Sequence, residues 1–419
     1  MSTTTQLPDS RAFGPVPRTG VIYVMERAAE LGYTPGHPDW ANLGQGAPET
    51  GPLDGSPQRL DTVPVVASSS EYAPVAGLPE LRQAVADLYN HRYRKGKASK
   101  YGPRNVAIAA GGRTALTRVA AALDRVHLGH FLPDYTAYEE LLDLFRDFLP
   151  IPILLRDRCL PNAARLREEI VGRGLGALLL SNPCNPTGDV VFGDELARWV
   201  DAGRETGCAL IFDEFYSHYL YGDAAEVGTN SAAAHVEDVD ADPVLVVDGL
   251  TKNWRYPGLR LSWTLGPERV IRALASAGSF LDGGAPHPVQ AAAVELIEPG
   301  RADAEARSIQ AEFSAKRRYM IERLRGMGLG LEHEPLGGFY AFVSLEGLPA
   351  RLQDGTDFFE AGLERRVITI PGRFFDVNPG KRRSHIPSRL HGFVRLSFGP
   401  ARAELERGLD RLEELIATG

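Results

Sequence analysis

At 419 residues the chain is nearly three times a typical domain of roughly 150, so a large core divided between two domains is expected and a small disulfide-stapled scaffold is excluded. Hydrophobic residues make up 43% and charged residues 24%, near the globular average, and 44 Gly with 30 Pro are too few for a low-complexity chain. Lys and Arg total 46 against 54 Asp and Glu, a net charge of −8, so there is no global positive field for nucleic acid or an anionic membrane, and neither is an expected partner. Cys159, Cys184 and Cys208 are odd in number and dispersed, which argues against a disulfide framework and a thiolate metal site and fits a reducing cytoplasm. The start, MSTTTQLPDSRAFGPVP, has no basic residues leading into an apolar stretch, and no window reaches bilayer-spanning length; a protein neither exported nor membrane-embedded is expected.

In chain order, VIYVMERAAELG from Val21 reads as a helix and NLGQGAPETGPLDG as a loop crossing between units. PELRQAVADLYNHRY sets Leu81, Val85 and Leu88 on one helical face, with Pro79 at a first-turn position. Short apolar runs then alternate with helical patterns. The runs are NVAIAA from Asn105, GHFLP from Gly129, IPILL from Ile151, GALLL from Gly176, CALIF from Cys208 and VLVV from Val244; RTALTRVAAAL and DELARWVDAGRE are among the helices. Such alternation is what βαβ units around a buried, mostly parallel sheet produce, with ligands at the carboxyl ends of the strands. WTLGPERVIRALASAG closes this region. A long helix, EFSAKRRYMIERLRGMG, leads away from Ala311 into an α+β tail containing the strands GGFYAFVSL and HGFVRLSFG. The expected division is a large domain at 51–310 and a small one made of 1–50 and 311–419.

The chemistry gathers at strand ends. SNPCNPTG, from Ser181, follows GALLL; its two Asn-Pro pairs force a turning backbone and leave carboxamides free to enter a cleft, although a plain structural turn has the same composition. In IFDEFYSHY, Asp213 ends a buried run, where an unpaired charge costs several kcal/mol, so a cation or hydrogen-bond donors must face it. In VVDGLTKNWRYPGLRLSW, Lys252 follows a buried strand and Arg260 opens another apolar run. An isolated lysine is usually solvated; three such segments in succession are not an isolated lysine.

SNPCNPTG, DEFY and TKNWRYPGLR together resemble the fold-type I aminotransferase family, class I/II, which binds pyridoxal 5′-phosphate. The resemblance extends over most of the chain: YAPVAGLPELRQAVA from Tyr72, the phosphate-turn segment GGRTAL from Gly111, PDYTAYEE from Pro133, and the carboxylate-binding strand FVRLSFG from Phe393. It implies an α/β fold, with a three-layer αβα large domain and a smaller α+β domain. The implied activity moves the amino group of an α-amino acid through Schiff-base and quinonoid intermediates. Lys252 would form the Schiff base and move the α-proton. Asp213 would face the pyridine nitrogen, Asn185 and Tyr216 the phenolic oxygen, and Tyr135 the ring face. Gly111, Gly112 and Arg113 would cradle the phosphate at a helix start, joined by Arg260 and Thr251. Arg395 would hold the substrate carboxylate, with Gly44 and Gly46 of NLGQGAP closing over it.

The resemblance also implies a homodimer with shared active sites, because Tyr72 would reach the phosphate of the partner's cofactor. Three features depart from the family. Gly249 stands where many relatives carry a hydroxyl, and Gly111, Gly112 and Arg113 stand where many have Gly-Ser-Gln in the turn, so that Arg113 could compensate. In FLDGGAPHPVQ, a stiff loop brings His287 toward substrate or phosphate, or is simply a surface loop. Arg255 and Tyr256 support the Lys252 loop rather than react. The alternative on the same scaffold is an enzyme of specialised metabolism that eliminates, replaces or cyclises, on S-adenosylmethionine or an arginine-like amino acid.

Overall fold

The structure, a computed structural model, describes residue 16, residues 20–145 and residues 147–418. Apart from Val16, the N-terminal run that bears on export lies outside the described residues. Among the described residues no helix is long and apolar enough to cross a membrane.

The apolar runs pair into a seven-stranded sheet ordered Val106–Ala109, Ser262–Leu265, Val244–Gly249, Ala209–Asp213, Leu175–Ser181, His127–Leu132 and Leu149–Leu154. Ser262–Leu265 runs antiparallel to both neighbours and the remaining pairings are parallel. Successive side chains on a strand point to opposite faces, so each central strand feeds two cores. Leu210 and Phe212 pack with helices Pro79–Tyr93, Gly193–Thr206 and His287–Leu296. Ile211, Leu179 and Val247 pack with helices Gly112–Ala122 and Glu268–Leu281 on the other side. This is a three-layer αβα arrangement. The same alternation carries Ser181 and Asp213 onto the second face at the carboxyl ends of their strands, where parallel sheets collect ligands.

A four-stranded antiparallel sheet, Ile370–Pro371, Phe393–Ser397, Tyr340–Ser344 and Gly330–Leu331, forms the centre of the tail. Ala41–Asn42 pairs in parallel with Val367–Ile368, and Ser397 N donates to the Leu43 carbonyl at 2.6 Å, so both chain ends meet here. The connecting helix starts at Pro299, earlier than the apolar pattern around Ala311 suggests, and runs unbroken to Gly326. Its first turns are polar, but the Glu298 side chain caps Arg301 N at 2.8 Å and small buried residues, Ala302 and Ala306, supply the inward face.

Candidate active site

The strand ends and the NLGQGAP loop enclose a cavity of about 440 Å³. Lys252, Asp213, Tyr216, Asn185, Tyr135, Thr251, Gly112, Arg113, Arg260, Gly46 and Arg395 all line it. Lys252 comes from the turn after Val244–Gly249, and its Nζ donates to the Gly46 carbonyl of the loop above. Asp213 is the only carboxylate among the lining residues, facing Lys252 and three guanidiniums. Burial, followed by the charges of Arg395, Arg260 and Arg113, lowers the Lys252 amine from 10.5 to about 7. Near neutrality a large fraction of that amine is therefore uncharged and nucleophilic. Burial raises Asp213 to about 6, against hydrogen bonds from the Tyr138 hydroxyl and Phe215 N and the charge of Lys252.

At one end, the strand Val106–Ala109 turns into helix Gly112–Ala122 through Gly111, whose φ is +93°. A Cβ there would lie 2.3 Å from Arg260 Nη2, so a bare glycine lets the guanidinium lie against the helix start. At Gly112 a Cβ would meet the Phe215 ring at 2.6 Å. Arg113 Nη2 donates to the Tyr135 hydroxyl at 3.3 Å. The Thr251 hydroxyl is buried without a partner among the described residues and lines the same cavity as Gly112 at the helix start, where the first N–H groups of a helix lack intrahelical acceptors. Dipole, guanidiniums and orphan hydroxyl are the donor set of a phosphate cradle.

At the other end, Arg395 is 2% exposed, donates to Asn185 Oδ1 at 2.9 Å and to the Gly44 carbonyl at 2.6 Å, and keeps a buried Nε without a partner. Its guanidinium lies 4.0 Å from the Tyr340 ring centroid, and the Tyr340 and Tyr216 hydroxyls are 2.9 Å apart. A buried cation whose bonds go to neutral groups is poised for an anion.

Several residues of this site were not singled out in the sequence. Tyr138 donates to Asp213 Oδ2 at 2.9 Å; it belongs to the PDYTAYEE segment, where the only cue is its spacing from Tyr135. Ser181, Gln45, Phe215 and Tyr340 also line the cavity. Beneath the Lys252 turn, Asn253 Nδ2 donates to the Glu214 carbonyl, Ser217 Oγ and Asp248 Oδ1 at 3.0, 3.0 and 2.8 Å, while its Oδ1 accepts from His218 N at 3.1 Å. These bonds clip the lysine turn to the Asp213–Tyr216 turn. Arg255 is buried against Glu305, its Nε donating at 2.8 Å, and Tyr256 accepts from Leu60 N at 2.6 Å. Both brace the loop.

Two sequence candidates lie outside this subunit's cavity. Tyr72 is 96% exposed. His287 is not in a loop reaching toward this cavity; it opens the helix His287–Leu296 behind Pro286, and its Nδ1 donates to the Glu71 carbonyl at 3.0 Å. Gly249 also has a steric reason: a Cβ would lie 2.5 Å from the Leu261 carbonyl oxygen of the adjoining strand segment.

The sheet topology and the lysine-bearing cavity define the α/β fold of the type I pyridoxal-phosphate enzymes. The sequence profile of aminotransferase class I and II matches residues 38–412, and the chain belongs to that family, whose members are pyridoxal-phosphate-dependent transferases. A probable aspartate/prephenate aminotransferase of Aquifex aeolicus is 25% identical over 354 residues, covering 83% of this chain and 84% of that protein. An aspartate aminotransferase of Streptomyces avermitilis is 28% identical over 362 residues, covering 83% and 81%. Among solved structures, an aminotransferase from Mycobacterium tuberculosis superposes with a TM-score of 0.78 at 26% identity over 96% of this chain and 98% of that one. The aspartate aminotransferase of Thermus thermophilus with maleate has a TM-score of 0.76 at 24% identity over 96% and 97%, a likeness of fold. The protein is an aminotransferase; none of these relatives points to elimination, replacement or cyclisation.

Proposed function

We propose that the cavity binds pyridoxal 5′-phosphate and transfers the amino group of an α-amino acid with an acidic side chain. The carrying observation is a single carboxylate, Asp213, and a lysine amine lowered to about 7, enclosed with three guanidiniums. When bound, the cofactor supplies an aldehyde that captures amines and a ring that withdraws electrons from the α-carbon. Lys252 would hold the cofactor covalently, and its freed Nζ would take the α-proton and return it. Asp213 holds the proton on the pyridine nitrogen, which gives the buried carboxylate its cation. Tyr216 and Asn185 donate toward the phenolic oxygen, and Tyr135 covers the ring face and excludes water. Gly111, Gly112, Thr251 and Arg260 receive the phosphate, and Arg395 with Gly46 receives the α-carboxylate.

One phosphate and one α-carboxylate engage Arg260 and Arg395, which leaves Arg113 for a second carboxylate. The aspartate aminotransferases among the relatives support that reading. Arg113 then serves the substrate side chain or shares the phosphate, and His287 steadies the Tyr72 segment. We further propose the division into 51–310 and 1–50 with 311–419, a cytoplasmic setting, and a homodimer in which Tyr72 reaches the partner subunit's cofactor phosphate; the almost full exposure of Tyr72 supports the last. The test is a single-turnover incubation with a panel of amino acids. Pyridoxamine phosphate with the matching keto acid, fastest from aspartate or glutamate, is expected. Ammonia release or a lost γ-substituent without pyridoxamine phosphate would overturn the reaction, and preference for an apolar amino acid would overturn the substrate class.

A further inference from the structure

Asp134 is 1% exposed and, among the described residues, has no cation bonded to it. It sits in the turn after His127–Leu132, and its backbone N donates to the Phe375 carbonyl at 3.2 Å, across to the tail unit. Its Oδ1 accepts from Tyr135 N at 2.7 Å and from Ser181 Oγ at 2.5 Å, and its Oδ2 accepts from Ser181 N at 3.4 Å. Ser181 Oγ in turn accepts from Asn185 N at 3.0 Å. The Ser181 hydroxyl has a single proton, which it donates to Asp134 Oδ1 while a lone pair accepts from Asn185 N. The Asn185 carboxamide then faces Arg395 Nη1 at 2.9 Å, and the Phe375 ring lies 5.0 Å under the same guanidinium.

We infer that Asp134 is a positioning residue that, through the Ser181 hydroxyl, sets the Asn185 carboxamide and with it the Arg395 fork for the substrate carboxylate. A buried carboxyl with no ion-pair partner is an expensive residue to retain for packing alone. What it obtains is a fixed hydroxyl orientation and a common anchor for Tyr135, Asn185 and the Phe375 segment. Ser181, Asn185 and Tyr135 form part of the cavity wall, whereas Asp134 is not among the lining residues and acts through them. Burial holds its carboxyl up near about 8, against the bonds from Ser181 and Tyr135. Either protonation state leaves an acceptor on Oδ1.

The inference rests on the reading of Arg395 as the carboxylate ligand, so the experiment includes a variant of each. The cofactor-loaded enzyme is assayed with its best amino acid, and the pH midpoint of the bound cofactor's absorbance is recorded alongside. Asp134→Ala and, in case that variant does not fold, Ser181→Ala are expected to raise KM about tenfold, the worth of one such buried hydrogen bond, with a smaller change in kcat. Both are expected to shift the absorbance midpoint, because Asn185 faces the phenolic oxygen. Asp134→Asn, whose carboxamide oxygen keeps the acceptor, is expected to restore KM to near the wild-type value. Arg395→Lys should raise KM by more than either. Unchanged KM and midpoint in both Asp134→Ala and Ser181→Ala, with Arg395→Lys impaired, would overturn the inference alone. Unchanged KM in Arg395→Lys would overturn the reading beneath it.

Discussion

The Tyr138 hydroxyl donates to Asp213 Oδ2 at 2.9 Å inside the core, and it is the only side-chain hydrogen bond to that carboxylate among the described residues. Burial has already raised Asp213 to about 6, and the Tyr138 bond is first among the effects that oppose the rise. Tyr138→Phe removes a donor to the ionised form, so the carboxyl should titrate still higher. A hydrogen bond to a charged group contributes about 1.5–3 kcal/mol, so cofactor affinity should fall at least tenfold. The loss should be greatest below neutral pH, where the acid form gains most. Fluorescence titration of cofactor-free protein with pyridoxal phosphate across pH checks this; a uniform loss at every pH would contradict it.

Lys252, Asp213 and Asn185, which line the cavity, were readable because each follows or ends a buried run where a charge or carboxamide is hard to explain by packing; Arg395, in the middle of Phe393–Ser397, was marked only by the resemblance of FVRLSFG to a carboxylate-binding strand. Tyr138 and Tyr340 were not, because a tyrosine among apolar neighbours reads as core until its hydroxyl's partner is known, and that partner lies 75 residues away for Tyr138 and 124 for Tyr340. The six buried and parallel strands of the large sheet announced themselves by apolar runs. The antiparallel place of Ser262–Leu265 did not, since a short run carries no record of its direction. The early start of the Pro299 helix was hidden for a related reason: its inward face is alanine, which marks periodicity weakly. The glycines and prolines of FLDGGAPHPVQ read as a stiff loop around His287, yet a proline just inside a helix start is also a cap signal, and His287 opens a helix.

The Lys252 amine should behave as a base with its midpoint near pH 7. In cofactor-free protein, capture of pyridoxal phosphate should accelerate as pH rises through that value. Because Arg395 is the strongest of the charges that depress it, Arg395→Met should move the midpoint to higher pH, and Arg113→Met should move it less. Stopped-flow absorbance over about pH 5.5–11.5, spanning the ordinary lysine range and the shifted one, is the measurement. A midpoint that Arg395→Met leaves in place would show that burial alone sets it.

Asp248 accepts from Gly249 N, Asn253 Nδ2 and the Tyr89 hydroxyl at 2.6, 2.8 and 3.2 Å, but burial still raises its carboxyl from 3.8 to about 7. Between those values the folded chain holds a proton that the unfolded chain has lost, so this residue's contribution to stability falls as pH rises. Asp248→Asn removes that slope while leaving a pH-independent cost for the altered hydrogen bonds. Tm of the variant minus Tm of the wild type should therefore climb from pH 4 toward pH 7 and level off above it. A flat difference would mean that Asp248 ionises normally.

Tyr72, nearly fully exposed, belongs to a segment held to the helix start by His287 Nδ1 on the Glu71 carbonyl at 3.0 Å. If the site is shared, Lys252→Ala and a strongly impaired Tyr72 variant damage opposite halves of one active site. Mixed after unfolding and refolding together in equal amounts, the two should regain about a quarter of wild-type activity, because half the dimers are mixed and each has one intact site. Activity that stays at the sum of the parents would count against a shared site.

Gly249 stands where the family resemblance leads one to expect a hydroxyl, and introducing one looks at first like an improvement to the phosphate cradle. The backbone forbids it. A Cβ at Gly249 would lie 2.5 Å from the Leu261 carbonyl oxygen and 2.6 Å from Ser262 Cα, both main-chain atoms that no rotamer change can move aside. Gly249 also pairs with Ser262 in the antiparallel ladder, so relief requires spreading the strands that carry Lys252 and Arg260 into the site. Gly249→Ala and Gly249→Ser should therefore each lose about 1–3 kcal/mol of stability, the usual cost of overpacking. Gly249→Ser should bind pyridoxal phosphate no more tightly than Gly249→Ala. Denaturant titration and cofactor titration of the pair separate the two effects; a serine variant that bound more tightly than the alanine variant would show that the strands can part and that the missing hydroxyl is a lost ligand after all.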